Sequence, residues 1–260
     1  MEDEAYPVGV HRHIAGSKLP GYEDYCPITL AYVFRQEDGR YRLDDYDDPS
    51  GEVFFDESDF IDNPGFLILH LGHAVEREHT VETAARALHS TLTSLFAACN
   101  VPVTLERIRT SIEFSEFMKA YRAEYSHLIL IGHGSTDGIR FLDKPAPVKG
   151  AELAGMLGAD SSANNLQILS LCCHSGCEAI SKALSVSEGV TEVIAPSEAF
   201  DMRWASHFVT GYFLSRYVSN RSSEEAVQDH CRASKMGVCI WRDGKVLLCQ
   251  PDQEEGSRKA

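Results

Sequence analysis

Two stretches decide how this chain reads: Leu128-Ile129-Leu130-Ile131-Gly132-His133-Gly134-Ser135 and Ile168-Leu169-Ser170-Leu171-Cys172-Cys173-His174-Ser175-Gly176. Each begins as a short apolar run of the kind that forms a strand buried on both faces, and each ends at once in reactive side chains. The first sets a histidine between two glycines, where a missing Cβ lets backbone approach a ligand closely. The second sets two adjacent cysteines ahead of a segment read as a helix over residues 176–184, whose positive N-terminus would stabilise a thiolate. If the two strands are sheet neighbours, His133 and the cysteine pair share one crevice. The imidazole can then activate the thiol and protonate a leaving amine, while the N–H groups of Gly134 and of the cysteine hold an oxyanion. A lone His-Gly is commonly a structural turn, and a strand-end cysteine is commonly a small core residue. Both together, on consecutive strands, point to a site for nucleophilic catalysis.

The pattern around them predicts the fold class: α/β, with three layers and a mostly parallel central sheet. Residues 66–71 read as a strand, and 80–98 as a helix with Val81, Ala84, Ala85, Leu88, Leu92 and Leu95 on one face. Strands are expected at 101–108, 127–131, 166–171 and 190–195. Helices are expected at 115–125, with Ser115 as N-cap, and at 149–157, 202–218 and 223–234. Ligand sites of such sheets lie at the carboxyl ends of the strands. Ahead of this domain, the run at 28–34, the Asp38-Gly39 turn and residues 41–43 read as a β appendage, and residues 1–25 as an irregular arm. A final hairpin is expected across Asp243-Gly244. The expected division is residues 1–64 as arm and β appendage, 65–250 as the main domain and 251–260 as a polar tail.

Length and composition agree with one catalytic domain. The 260 residues are 43% hydrophobic and 24% charged, which is ordinary for a globular chain. The net charge of −15, with no clustered Lys or Arg, argues against nucleic-acid binding. Much of that charge lies among Asp44, Asp45, Asp47, Asp48, Glu52, Asp56, Glu57 and Asp59, read as a solvated loop. The start Met-Glu-Asp-Glu is no signal peptide, and no apolar run is long enough for a membrane helix, so a cytoplasmic location is expected. The eight cysteines then read as reduced thiols. Neither a P-loop nor a Gly-x-Gly-x-x-Gly follows a strand, and the dense Cys172, Cys173, His174 and Cys177 lack the paired spacing of structural zinc. No cofactor or metal is expected.

The Gly132-His133-Gly134 and Cys172-Cys173-His174-Ser175-Gly176 motifs resemble those of metacaspases and other caspase-like cysteine peptidases. Their 40-residue separation is near the roughly 50 of caspases. The metacaspase motif places the nucleophile immediately before His-Ser-Gly, so the resemblance selects Cys173 over Cys172. Val193-Ile194-Ala195-Pro196-Ser197, with Asp201 ahead of a helix carrying Phe208 and Phe213, resembles CHAT-type peptidases of the same fold. The resemblance implies a caspase-like fold over about residues 66–215. It also implies a peptidase that forms an acyl-enzyme on a protein or peptide substrate; because a peptidase in the cytoplasm must be restrained, a protein partner, a ligand-gated state or cleavage of a loop is expected to switch it on.

The pattern departs from metacaspases at Leu171, two residues before the nucleophile, where they carry an aspartate that helps to hold Arg or Lys. Asp137 and Asp201 are the candidates for an acidic pocket instead, with Glu198 nearby. His70, His73 and His79 replace the usual metacaspase sequence after the first strand, so calcium activation does not carry over; His70 and His73 read equally as a border of the cleft or as polar loop residues. Two rival readings accompany the peptidase: a non-catalytic binding module of the same fold, and a thiol hydrolase or acyltransferase acting on a non-peptide substrate.

Overall fold

A small antiparallel sheet precedes the main one in the computed structural model of the protein, which describes residues 10–15, 18–19, 28–44, 48–61, 64–72, 78–97, 101–158, 165–234 and 236–249. Its strands are β1 (Val10–Ala15), β2 (Ile28–Arg35), β3 (Tyr41–Leu43) and β4 (Phe54–Phe55), in sequential order. Part of the stretch expected to be irregular is therefore a strand. Alternation explains it: Ile14 is buried with Ala31, Val33, Tyr41, Leu43, Phe55 and Phe60 in a small core of their own, while His11 pairs with Tyr32 on the other face. The rest of the arm and the expected tail at 251–260 lie outside the described residues. In the acidic stretch Glu52, Asp56 and Glu57 are exposed, as expected of a solvated loop, but Asp48 is not. Asp48 is buried and accepts from the backbone N–H groups of Ser50 at 3.2 Å and Val53 at 2.8 Å, tying the loop before β4.

The main domain continues with β5 (Phe66–Leu71), α1 (Glu78–Phe96), β6 (Val103–Ile108), α2 (Ser111–Tyr121), β7 (His127–Gly132), β8 (Gly134–Ser135), β9 (Gly138–Ile139) and α3 (Gly150–Met156). It closes with β10 (Leu166–Ser170), α4 (Ala183–Ser185), β11 (Val190–Pro196), α5 (Ala205–Tyr217), α6 (Ser223–Ser234), β12 (Val238–Arg242) and β13 (Lys245–Cys249). Seven strands form one sheet in the order β13-β12-β11-β10-β7-β5-β6. The pairs from β6 through β11 are parallel, and β12 and β13 join antiparallel. Successive side chains of a strand face opposite sides, which divides the core in two. Phe66, Ile68, Ile129, Ile131, Leu169 and Ile194 meet α1, α5 and α6. Leu67, Leu69, Leu128, Leu130, Ile168 and Val193 meet α2, α3 and Leu184 of α4. The three layers expected from the sequence follow. Among the described residues, no helix is long and apolar enough to cross a membrane.

Three local expectations are corrected. Helix α2 starts four residues before Ser115, because Thr110 and Glu113 form a capping box: Thr110 Oγ1 accepts from Glu113 N at 3.0 Å, and Glu113 Oε2 accepts from Thr110 N at 3.1 Å. The helix expected from Gly176 is replaced by a π-helical turn, Glu178–Lys182, that runs into the short α4. Cys239 and Cys249, read as thiols, lie directly opposite on β12 and β13 and are disulfide-bonded. Cys26 and Cys99 lie outside the described residues.

A buried histidine at the start of β7 links the fold to pH. His127 stacks on Phe66 with ring centroids 4.4 Å apart, and its Nδ1 and Nε2 meet Ser126 Oγ at 2.7 Å and the Tyr217 hydroxyl at 2.6 Å. Desolvation, aided by the charge of Arg216, lowers its pKa from 6.5 to about 3. The unfolded chain therefore takes up a proton below pH 6.5 that the native state refuses, and stability falls as pH drops through that window. Urea unfolding at pH 7.5 and 5.5 should show wild type losing about 1.4 kcal/mol more than His127→Gln; an equal loss in both would exclude His127 as the cause.

Candidate active site

The parallel register of β7 and β10 sets Ser170 against Leu130, and the next amide, Leu171 N–H, donates to Leu130 O at 2.7 Å. Both strands then leave the sheet together, so Gly132-His133-Gly134 and Cys172-Cys173 emerge side by side at its carboxyl end. The closeness is measured at Gly134, where a Cβ would stand 2.4 Å from the Cys173 carbonyl oxygen and 3.1 Å from Cys172 Cβ. Glycine is required there because the contact is backbone against backbone. The chain after His133 turns back as the β8–β9 hairpin, and the His133 carbonyl accepts from Arg140 N at 3.0 Å. His133 and Cys173 are both half-buried.

The two adjacent cysteines occupy different environments. Cys172 is fully buried in the core beneath the sheet, and desolvation pushes its thiol up to about 12. Cys173 turns to the opposite side, where its Sγ accepts from Phe200 N–H at 3.2 Å and lies 3.8 Å from Phe200 O. Burial thus separates a core cysteine from an accessible one, a distinction that the sequence pattern drew only by resemblance.

The turn carrying Cys173 is held from several directions. Ser175 Oγ donates to Cys172 O at 2.6 Å and meets Ser170 Oγ at 2.7 Å, while Ser181 Oγ donates to Ser175 O at 2.7 Å. Gly176 N–H donates to Pro196 O at 2.7 Å, and a Cβ at Gly176 would stand 2.5 Å from Ala195 O. Trp241 Nε1 donates to Gly176 O at 2.9 Å from the terminal hairpin. His174 takes a φ of 58°, a left-handed conformation costing a non-glycine residue about 1 kcal/mol, and its N–H donates to Glu198 O at 2.8 Å. This tethering to β11 holds residues 173–176 in tight turns, and the helical turn begins only at Glu178, so no helix begins at Cys173 and the expected dipole does not reach its sulfur.

The remaining candidates separate. Leu171 is fully buried in the core and offers no side-chain surface to a substrate. Asp201 caps the turn that precedes α5 and is bound by Arg203, whose Nε lies 3.0 and 2.9 Å from its two oxygens; those hydrogen bonds hold its pKa below the ordinary carboxylate value. Asp137 is exposed on the β8–β9 turn. His70, read as a cleft border or a loop residue, is buried within β5, and His73 lies outside the described residues. Cys177 Sγ turns toward Thr136 O at 3.6 Å. Among the described residues, no three His, Cys, Asp or Glu side chains gather as a metal-ligand set. The sequence reading missed Ser170, Ser175, Ser181 and Trp241; Ser170, between Leu169 and Leu171 in an apolar strand, was the available signal. It also missed a groove of about 490 Å³ between α1 and residues 202–206, with Ala84, Ala87 and Met202 along it and His79 and Arg203 beside them.

The sequence matches no protein-family model and no curated protein. Solved structures share the fold. A secreted C11 cysteine protease of Bacteroides thetaiotaomicron in complex with an irreversible peptide inhibitor aligns at TM-score 0.51 and 6% identity, over 69% of this chain and 66% of that one. Another structure of the secreted C11 protease from that organism aligns at TM-score 0.48 and 8% identity, over 69% and 66%. An inactive zymogen C11 protease of Parabacteroides distasonis aligns at 0.46 and 10%, over 69% and 62%. This chain spans just under two thirds of the length of the proteins it matches. The alignment at TM-score 0.51 shows the fold: α/β with a mostly parallel central sheet, as in that C11 protease.

Overpacking at the close approach tests the geometry. Gly134→Ala should destabilise the protein by about 1–3 kcal/mol in denaturant unfolding, since the new methyl meets a carbonyl that cannot rotate away. An unchanged midpoint would show that the two strand ends are farther apart.

Proposed function

We propose that the protein is a caspase-like cysteine endopeptidase in which Cys173 is the nucleophile and His133 the acid/base. The carrying observation is the backbone contact at Gly134, which fixes the histidine strand end against the cysteine strand end. In the proposed reaction Cys173 sulfur attacks the scissile carbonyl carbon and its proton passes to His133. The carbonyl becomes an oxyanion held by the N–H groups of Gly134 and Cys173. The tetrahedral species collapses, the C–N bond breaks, and His133 gives the proton to the leaving amine. Water then hydrolyses the thioester and restores the thiol.

A peptide substrate is supported by the peptide inhibitor bound to the C11 protease of the same fold. Asp137 and Asp201 remain the proposed acidic contacts for a basic substrate side chain, Asp201 only once Arg203 is displaced. Both backbone groups of Phe200 engage the Cys173 sulfur, which supports an activation event or partner that shifts residues 197–201 and releases it.

Incubation with a peptide library, read by mass spectrometry, tests the reading. Wild type and Cys172→Ala should cut the same bonds; Cys173→Ala should cut none, and His133→Ala should be slower by about 10²–10⁴. Cleavage that survives Cys173→Ala would refute the assignment.

A further inference from the structure

The backbone N–H of Cys173, proposed above as an oxyanion donor, is oriented from a distance. A peptide unit is planar, so the Cys172 carbonyl and the Cys173 N–H turn together. Ser175 holds that carbonyl twice, donating from its Oγ at 2.6 Å and from its N–H at 3.2 Å. The direction of the Cys173 N–H therefore follows from where Ser175 sits. Ser175 is fully buried and is followed at once by Gly176, whose N–H donates to Pro196 O at 2.7 Å.

Gly176 is gripped on its carbonyl side by a residue 65 positions away in the chain. Trp241 Nε1 donates to Gly176 O at 2.9 Å, and the whole side chain is buried. An indole N–H can only donate, and once buried it needs an acceptor; the one it has lies in the cysteine turn. The two grips come from neighbouring strands, since Pro196 ends β11 and Trp241 of β12 pairs with Val193 of β11. Trp241 is anchored in its turn. Its ring belongs to the core that holds Val193, Cys172, Ile180 and Leu184. Arg242, next in the strand, donates from Nη2 to Glu192 at 3.1 Å, in a polar cavity of about 280 Å³ at the amino ends of the parallel strands that His127 and Gln167 also line.

From this chain of contacts we infer that Trp241 is a positioning residue for the proposed peptidase reaction, a reading on which the inference rests. Trp241 touches neither the substrate nor the reacting atoms. Through Gly176 and Ser175 it holds the Cys172–Cys173 peptide plane so that the Cys173 N–H meets the oxyanion as it forms. Such a donor acts in the transition state more than in the bound substrate, so its misplacement costs turnover rather than binding. The resemblance covers residues 66–215 and assigns Trp241 no role; the hydrogen bond across the sheet does.

Two variants of the full chain test the inference: Trp241→Phe, and Trp241 replaced by benzothienylalanine, which carries sulfur in place of the indole N–H. Both withdraw the donor and keep an aromatic ring, and the second, nearly isosteric, serves if Trp241→Phe does not fold. On a peptide that wild type cuts, with active sites counted by adduct formation on Cys173, kcat should fall by about tenfold or more while KM stays within about twofold. Hydrogen exchange at the backbone amides of residues 174–177 should be faster in both variants. Wild-type kcat in a folded chain that lacks the N–H overturns the inference and leaves the peptidase reading standing, as does a loss confined to KM or to the unfolding midpoint. A wild type that cuts no peptide overturns both.

Discussion

The parallel ladder between β7 and β10 is the constraint on which everything else rests. Its hydrogen bonds set Gln167 to Ser170 against His127 to Leu130, and the Leu171 amide carries the pairing one step further. Because the ladder is in register, six residues of each strand separate its two ends, and whatever the ends carry is held at matching height. A slip of one residue would turn every core side chain of β10 to the wrong face and bring Cys172 rather than Cys173 to the open side. The burial of Leu128, Leu130 and Ile168 on one face and of Ile129, Ile131 and Leu169 on the other resists that slip.

From that pairing the cysteine turn inherits its position, and the surrounding polar groups convert position into shape. Ser170, Ser175 and Ser181 lie in a dry interior, where each hydroxyl needs a partner, and each finds one in the turn or its neighbours. Gly176 packs on β11, and Trp241 brings in the terminal hairpin, so distant parts of the chain fix a segment of five residues. The left-handed His174 persists because these contacts over-determine it. The same segment leaves the Cys173 sulfur against Phe200, coupling the nucleophile candidate to the loop before α5.

Much of the fold was legible because apolar runs in this chain are short, sharply bounded and separated by strongly periodic helices. The five main-sheet strands from Phe66 to Pro196 were located within two residues at either end, and glycine and reactive side chains alone marked the two strand ends that the proposed chemistry uses. What was not legible depended on partners distant in sequence or on local rules that compete with periodicity. Thr110 and Glu113 start α2 earlier than its apolar face suggests. Gly176 was read as a helix start, yet its N–H belongs to Pro196 O, which no local pattern records. Leu171 stood at a specificity position by motif, but strand alternation sends it into the core. The polar cavity at the amino ends escaped notice because His127, Gln167 and Glu192 lie in three mostly apolar strands and are brought together only by the sheet.

The central claim is that Cys173 and His133 act as a pair. Treating wild type and His133→Ala with peptidyl acyloxymethyl ketones, followed by digestion and mapping of the adducts, tests it most directly. The account predicts a single adduct on Cys173, formed quickly in wild type and lost or greatly slowed in His133→Ala. Adducts spread over Cys173 and Cys177 and unchanged by His133→Ala would contradict it.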